Sequence, residues 1–101
     1  MAERTVVWTV TASKQRREIL VYWTKRNGSS SFSEKLIKLI ASRIEIILKN
    51  PEVFKLTSFE EVRVASMGHY SIFYKTTVGQ LIVMAFWDNR QSPEKLLEII
   101  N

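Results

Sequence analysis

The sequence predicts an α+β domain: an antiparallel sheet with a helical hairpin on one face and a short helix at the C-terminal end, in the order β-α-α-β-β-β-α. Three observations predict it. Between Glu60 and Arg90, runs rich in Val, Ile, Phe and Tyr are separated by Met67-Gly68 and Val78-Gly79, the glycine-bearing turns of a three-stranded meander. Ahead of it, two segments repeat apolar residues at three and four, the helical period. Behind it, Ser92-Pro93-Glu94 supplies an N-cap, a proline suited to the first helical position and a carboxylate at the positive end of the dipole.

The elements follow in order. Thr5 to Thr11 places Val6, Trp8 and Val10 on one side and reads as a first strand. Thr11 or Ser13 then offers a cap for a helix from Lys14 to Arg26, with Ile19, Leu20, Tyr22 and Trp23 inward and Lys14, Arg16, Arg17, Lys25 and Arg26 on the solvated side. Asn27-Gly28 ends it. Ser31 with Glu34 is a capping box for the second helix, whose stripe of Leu36, Ile37, Leu39, Ile40, Ile44, Ile47 and Leu48 stops at Asn50-Pro51. Pro51 to Phe59 reads as irregular connection. The strands of the meander are Val62–Ser66, Tyr70–Thr77 and Leu81–Trp87. Leu96, Leu97, Ile99 and Ile100 give the final helix an apolar side, and a helix that short must dock to persist.

With Val78-Gly79 as a two-residue turn, Tyr74 pairs with Val83, Ile72 with Ala85 and Tyr70 with Trp87 on one face. Ser71, Phe73 and Lys75 then share the other with Ile82, Met84 and Phe86. Both faces are apolar, so both need cover: helices on one, a shorter element or a partner on the other. The final helix is the nearest cover for Phe73, Met84 and Phe86.

The 101 residues make one domain over 1–101, large enough for a single modest core. A hydrophobic content of 46% argues against disorder. The absence of cysteine excludes a thiolate nucleophile and a disulfide framework, and a single histidine argues against a metal centre. No cofactor is implied. Neither a leader at MAERTVVWTVTAS nor a membrane-spanning run is visible, which points to the cytoplasm. Fifteen Lys and Arg against ten Asp and Glu leave +5, a balance suited to nucleic acid or an acidic protein segment.

The layout resembles that of the RelE/ParE family of bacterial toxins along essentially the whole chain. The residues that carry the resemblance are Tyr22-Trp23, Asn50-Pro51, Val62-Arg63, GHYSIFY with Gly68, Tyr70, Ile72 and Tyr74, and FWDNR ending at Arg90. It implies a toxin neutralised by a cognate antitoxin encoded beside it. Two activities are implied by the family. One is ribosome-dependent mRNA cleavage, with ribosome and mRNA as partners; the other is ParE-like, non-enzymatic poisoning of DNA gyrase. The family's nucleases carry basic residues on the second strand, an arginine after the third-strand Gly-Tyr, an arginine after the fourth strand and a C-terminal tyrosine or histidine. Arg63 and Arg90 match two of these. Ser71 stands at another, and nothing aromatic or histidine follows Arg90.

Cleavage through a 2′-hydroxyl needs a base, an acid and donors for the charge growing on phosphorus oxygens. Arg63 and Arg90 suit the third task and, always protonated, cannot do the first. His69 in a turn, with Asp88 or Glu61, is left as the candidate base. The catalytic set expected on the nuclease reading is Arg63, Arg90 and His69, directed at one shared hollow. Lys14, Arg16, Arg17, Lys75 and Trp87 are the candidate nucleic-acid contacts, Trp87 by stacking on a base. The blander readings are that Asp88 simply pins Arg90, that Tyr70 and Tyr74 are core residues with satisfied hydroxyls, and that the tryptophans are core.

Overall fold

The computed structural model describes residues 3–91 and residue 95. Within them lie β1 (Thr5–Trp8), α1 (Val10–Asn27), α2 (Ser31–Lys49), β2 (Lys55–Leu56), β3 (Arg63–Met67), β4 (Tyr70–Thr76) and β5 (Gln80–Asp88). The helix expected over Ser92–Ile100 lies outside the described residues. The sheet order is β1-β5-β4-β3-β2. It is mixed, not wholly antiparallel: β1 runs parallel to β5, Val6 opposite Leu81. No tight turn joins those two strands, so nothing local imposes the antiparallel direction. The connection after α2 contains β2, a two-residue edge strand on β3 too brief to leave a periodic trace.

α1 starts at Val10, earlier than the sequence suggests. Thr9 is the cap, its hydroxyl accepting from the Ala12 amide at 3.1 Å. Thr9 also ties the helix start to β5, donating its amide to the Val83 carbonyl at 3.1 Å and its hydroxyl to the Met84 carbonyl at 3.3 Å. Gly28, at φ 66°, closes α1 in the left-handed conformation glycine adopts without strain. α2 begins at Ser31 behind Ser30; the expected Ser31–Glu34 box is absent, and the Ser30 hydroxyl instead meets the Glu34 carboxylate at 3.2 Å. Buried Ser33 donates to the Leu20 carbonyl at 2.8 Å and fastens the two helices together.

The main core lies between helices and sheet. Ala12, Leu36, Ile40, Ile44 and Ile47 meet Ala65, Met67, Tyr70, Ile72, Tyr74, Leu81, Val83 and Phe86. The register of β5 decides which residues these are. Tyr74 pairs with Val83 as expected, but Phe73 pairs with Ala85, Ile72 with Phe86 and Tyr70 with Asp88. Met84 is the extra residue of a β-bulge. Beyond it the strand is turned over: Phe86 faces the helices, while Ala85 and Trp87 cross to the other side. The run LIVMAFW, Leu81 to Trp87, is apolar throughout, so no alternation betrays the slip.

The second face holds Val62, Phe73, Ala85 and Trp87, with Phe59, Val64 and Met84 packed on them. Its cover among the described residues comes from the loop before β3. There Thr57 donates its hydroxyl and its amide to the Val62 carbonyl, both at 2.8 Å, drawing Phe59 and Val62 onto the sheet. Glu61 takes φ 62° in this loop, a strain of order 1 kcal/mol held by those bonds. No helix among the described residues is long and apolar enough to cross a membrane.

Candidate functional site

The two arginines expected to share a hollow lie at opposite ends of the sheet. Arg63 opens β3 opposite Tyr74, whereas Arg90 follows Asp88, which pairs with Tyr70. Tyr70 and Tyr74 are four residues apart on one strand, a separation of about 13 Å at the strand rise. Each guanidinium is held by its own neighbourhood.

At the Arg63 end the partners are neutral. Nη1 of Arg63 donates to the Phe54 carbonyl at 2.7 Å and approaches the Glu52 carbonyl at 3.4 Å, closing the chain around the edge strand. Beside it the Tyr74 hydroxyl, fully buried, donates to the Pro51 carbonyl at 2.6 Å. Burial holds the Tyr74 phenol above its ordinary pKa, and the charge of Arg63 pulls it weakly the other way.

At the Arg90 end the partner is an acid. Nε and Nη2 of Arg90 grip both oxygens of Asp88 at 2.9 and 2.7 Å, and the Arg90 amide adds a third bond at 2.9 Å. The hydrogen bond from Arg90 holds the Asp88 carboxyl below the usual carboxylate range and raises the guanidinium further. The fork lies over Trp23 at 5.9 Å, and Trp23 donates its indole N–H to the Tyr70 hydroxyl at 2.6 Å. Asp88 is thereby a poorer base than a solvated carboxylate, and Arg90 has its charge met inside the chain.

Between α1 and this end of the sheet is a cavity of about 490 Å³ lined by Gln15, Glu18, Ile19, Tyr22, Trp23, Tyr70, Phe86, Asp88 and Arg90 among others. It exists because β1 stops at Trp8 while β5 runs on to Asp88. Past Val83, β5 has no strand on that side, and Gln15 substitutes for one: its Oε1 accepts from the Phe86 amide at 2.9 Å. The Gln15 amide nitrogen is buried with no partner among the described residues. The walls are aromatic, with Tyr22 stacked on Trp23 at 5.1 Å and Tyr70 on Phe86 at 5.3 Å. The arrangement offers donors and ring faces, and of its two acids Asp88 is already paired with Arg90 while Glu18 is exposed on α1.

The other expected residues scatter. His69 is exposed in the Gly68–His69 turn at the Arg90 end, near enough for its charge to bear on Asp88 and a sheet length from Arg63. Glu61 sits in the loop that covers the second face. Lys14 and Arg17 are exposed on α1, but Arg16 lies over the Trp8 ring at 4.1 Å. Lys75 is half-buried on β4. Trp87, 6% exposed against Val62, Phe73 and Ala85, presents no open ring face for a base. Ser71 is buried, its hydroxyl donating to the Asn89 side chain at 2.8 Å.

The model of the family described as the ParE toxin of the type II toxin–antitoxin system parDE matches residues 6–93. The chain belongs to this ParE toxin family. A solved structure described as a chromosomal ParDE toxin–antitoxin system from P. aeruginosa shares the fold: 12% identity, TM-score 0.69, covering 83% of this chain and 94% of that one. No curated protein matches. The chain is therefore a toxin of a type II toxin–antitoxin system, and a cognate antitoxin is its partner. The match is to the ParE side of the wider RelE/ParE group, which favours the gyrase alternative over the mRNA cleavage placed first in the sequence reading. Sequence reasoning missed Gln15 as part of the ParE toxin's cavity. Its one trace is a neutral polar residue three positions from Ala12 and four from Ile19, on the helix side that faces the sheet.

Proposed function

We infer that this ParE-family chain arrests growth by binding DNA gyrase, without chemistry of its own. The observation that carries this reading is the family match over residues 6–93 joined to the geometry of the expected nuclease set. Arg63 is tied to backbone carbonyls, Arg90 to Asp88, and His69 stands in a turn away from Arg63. A phosphoryl transfer needs base, acid and charge donors around one phosphate, and a binder needs none of these. Ser71, buried where the nucleases carry an arginine, supports the same reading.

The test is a supercoiling assay with purified gyrase, relaxed plasmid and ATP. The toxin should block supercoiling in proportion to its occupancy of gyrase, and translating ribosomes treated in parallel should keep their message intact. Normal supercoiling at excess toxin, with new 5′ ends in the message, would overturn the reading in favour of a nuclease.

A further inference from the structure

We propose that the outward strip of α1 grips the phosphate backbone of double-stranded DNA. Along the whole of α1 a single residue, Ala12, is fully buried, so the helix displays most of what it carries. Val10, Lys14, Arg17, Val21 and Lys25 are all exposed, and at the helical period they fall within about 80° of one another. Among the described residues the one salt bridge is Asp88–Arg90, so the three cations of the strip have no acid partner there. The one acid of α1, Glu18, borders the strip on the side where it lines the cavity. Lys25 lies in the last turn, where the helix dipole favours a cation, but Lys14 and Arg17 lie in the first half, behind a first turn that holds no acid. Helix stability gives no reason for those two. An external anion does.

Spacing selects the anion. The helical rise sets Arg17 and Lys25 about 12 Å apart along the axis, with Lys14 about 4.5 Å behind Arg17. The major groove of B-form DNA is about 12 Å wide, so the two ends of the strip meet phosphates of opposite strands. Val21, 45% exposed between them, then lies over the open groove, where it needs no polar partner. The major groove of A-form RNA is too narrow for the same span. An acidic protein segment has no fixed gap between its charges, and the strip has nothing to prefer it over any other polyanion. Arg16 takes no part, because its guanidinium lies over the Trp8 ring at 4.1 Å. The proposal goes beyond the gyrase reading and does not depend on it.

The test is fluorescence anisotropy of a short labelled DNA duplex titrated with the purified toxin between about 50 and 200 mM salt. Three phosphate contacts predict an affinity that falls about fortyfold over that range. Lys14→Gln with Arg17→Gln should reduce the fall to about threefold, and Lys25→Gln alone to about twelvefold. These variants change exposed positions on different turns, so either decides the matter if the other fails to fold. Lys55→Gln removes the same charge from β2, at the opposite edge of the sheet from β1, and should behave as wild type. Four results would each overturn the proposal. One is no measurable binding at the lowest salt. Another is a fall as steep in both α1 variants as in wild type. The third is a fall flattened equally by Lys55→Gln, which would make net charge and not the strip responsible. The fourth is polyglutamate of matched charge displacing the duplex as well as unlabelled duplex does, which would point to an acidic protein segment. The titration contains no gyrase, so its outcome and that of the supercoiling assay are read separately.

Discussion

The two ends of the sheet carry one arginine each, and the partners of those arginines differ in kind. Arg63 is gripped by uncharged carbonyls of the loop it closes; Arg90 is gripped by a carboxylate two residues away. The first is a long-range staple, joining residues 9 and 11 apart, whose loss loosens the β2 edge. The second is a local clamp that fixes the end of β5 over Trp23. Two arginines that look like a matched pair in the sequence are thus engaged in separate tasks, and a shared chemistry between them has no geometric basis.

The comparison can be broken most severely between the two ends. Deleting Met84 removes the bulge and turns the rest of β5 over, exchanging Phe86 for Ala85 and Trp87 on the helix side. The expected outcome is loss of the folded state, read as the collapse of near-ultraviolet circular dichroism; a native spectrum would show that the bulge does not set the register.

Tyr74→Phe comes next. It leaves the buried Pro51 carbonyl without its donor and should cost about 2 kcal/mol in urea unfolding. It should also alter the alkaline limb. The folded-state pKa of Tyr74 is raised, so its contribution is fully present below the ordinary tyrosine value, about 10, and is lost as pH rises through the folded value. The variant should therefore lose less stability above about pH 10 than wild type. Equal losses would place the alkaline transition elsewhere.

Smaller again is Arg63→Ala, which gives up its carbonyl bonds at a half-exposed site for about 1 kcal/mol. Hydrogen exchange should quicken in β2 and the 51–56 segment while α1 is unaffected. Arg90→Ala should shift the urea midpoint at neutral pH least of the four, because an exposed pair contributes little. Asp88, with its pKa lowered in the fold, contributes stability above the ordinary carboxylate value, about 4, that is lost as pH falls through the folded value. Whatever small difference separates wild type from Arg90→Ala at neutral pH should vanish as the acid limb is entered, and a neutral-pH midpoint shift larger than that of Arg63→Ala would reverse the ranking of the two ends.

Much of the scaffold was legible because its elements carry their own chemistry: the helix ends at Gly28 and at Asn50-Pro51, the glycine turns, and the pairing of Tyr74 with Val83. The hydroxyls of Tyr70 and Tyr74 are satisfied as core tyrosines require. Three features were not legible. Thr9, Thr11 and Ser13 are equally good caps in isolation, and only the contact of Thr9 with β5 chooses between them. The bulge hides in a run with no polar residue to mark a face. β1 and β5 are parallel through packing of the whole chain, not through any turn. Trp87 was misplaced for the same reason as the register, since beyond the bulge counting in twos along β5 gives the wrong face, whereas Arg63 and Arg90 lie apart because they stand at opposite ends of the strands. The cavity by Gln15 escaped notice because a lone glutamine on a helix says nothing until the strand it substitutes for is seen to end.

Positions 63 and 90 act independently if their two arginines serve separate tasks. A double-mutant cycle with Arg63→Ala and Arg90→Ala, read as the concentration of toxin that halves gyrase supercoiling, measures that independence. Separate tasks predict effects that add to within about 0.5 kcal/mol. If either single substitution instead abolishes inhibition as completely as the two together, the arginines act on one group in one site, and their separation into two tasks is contradicted.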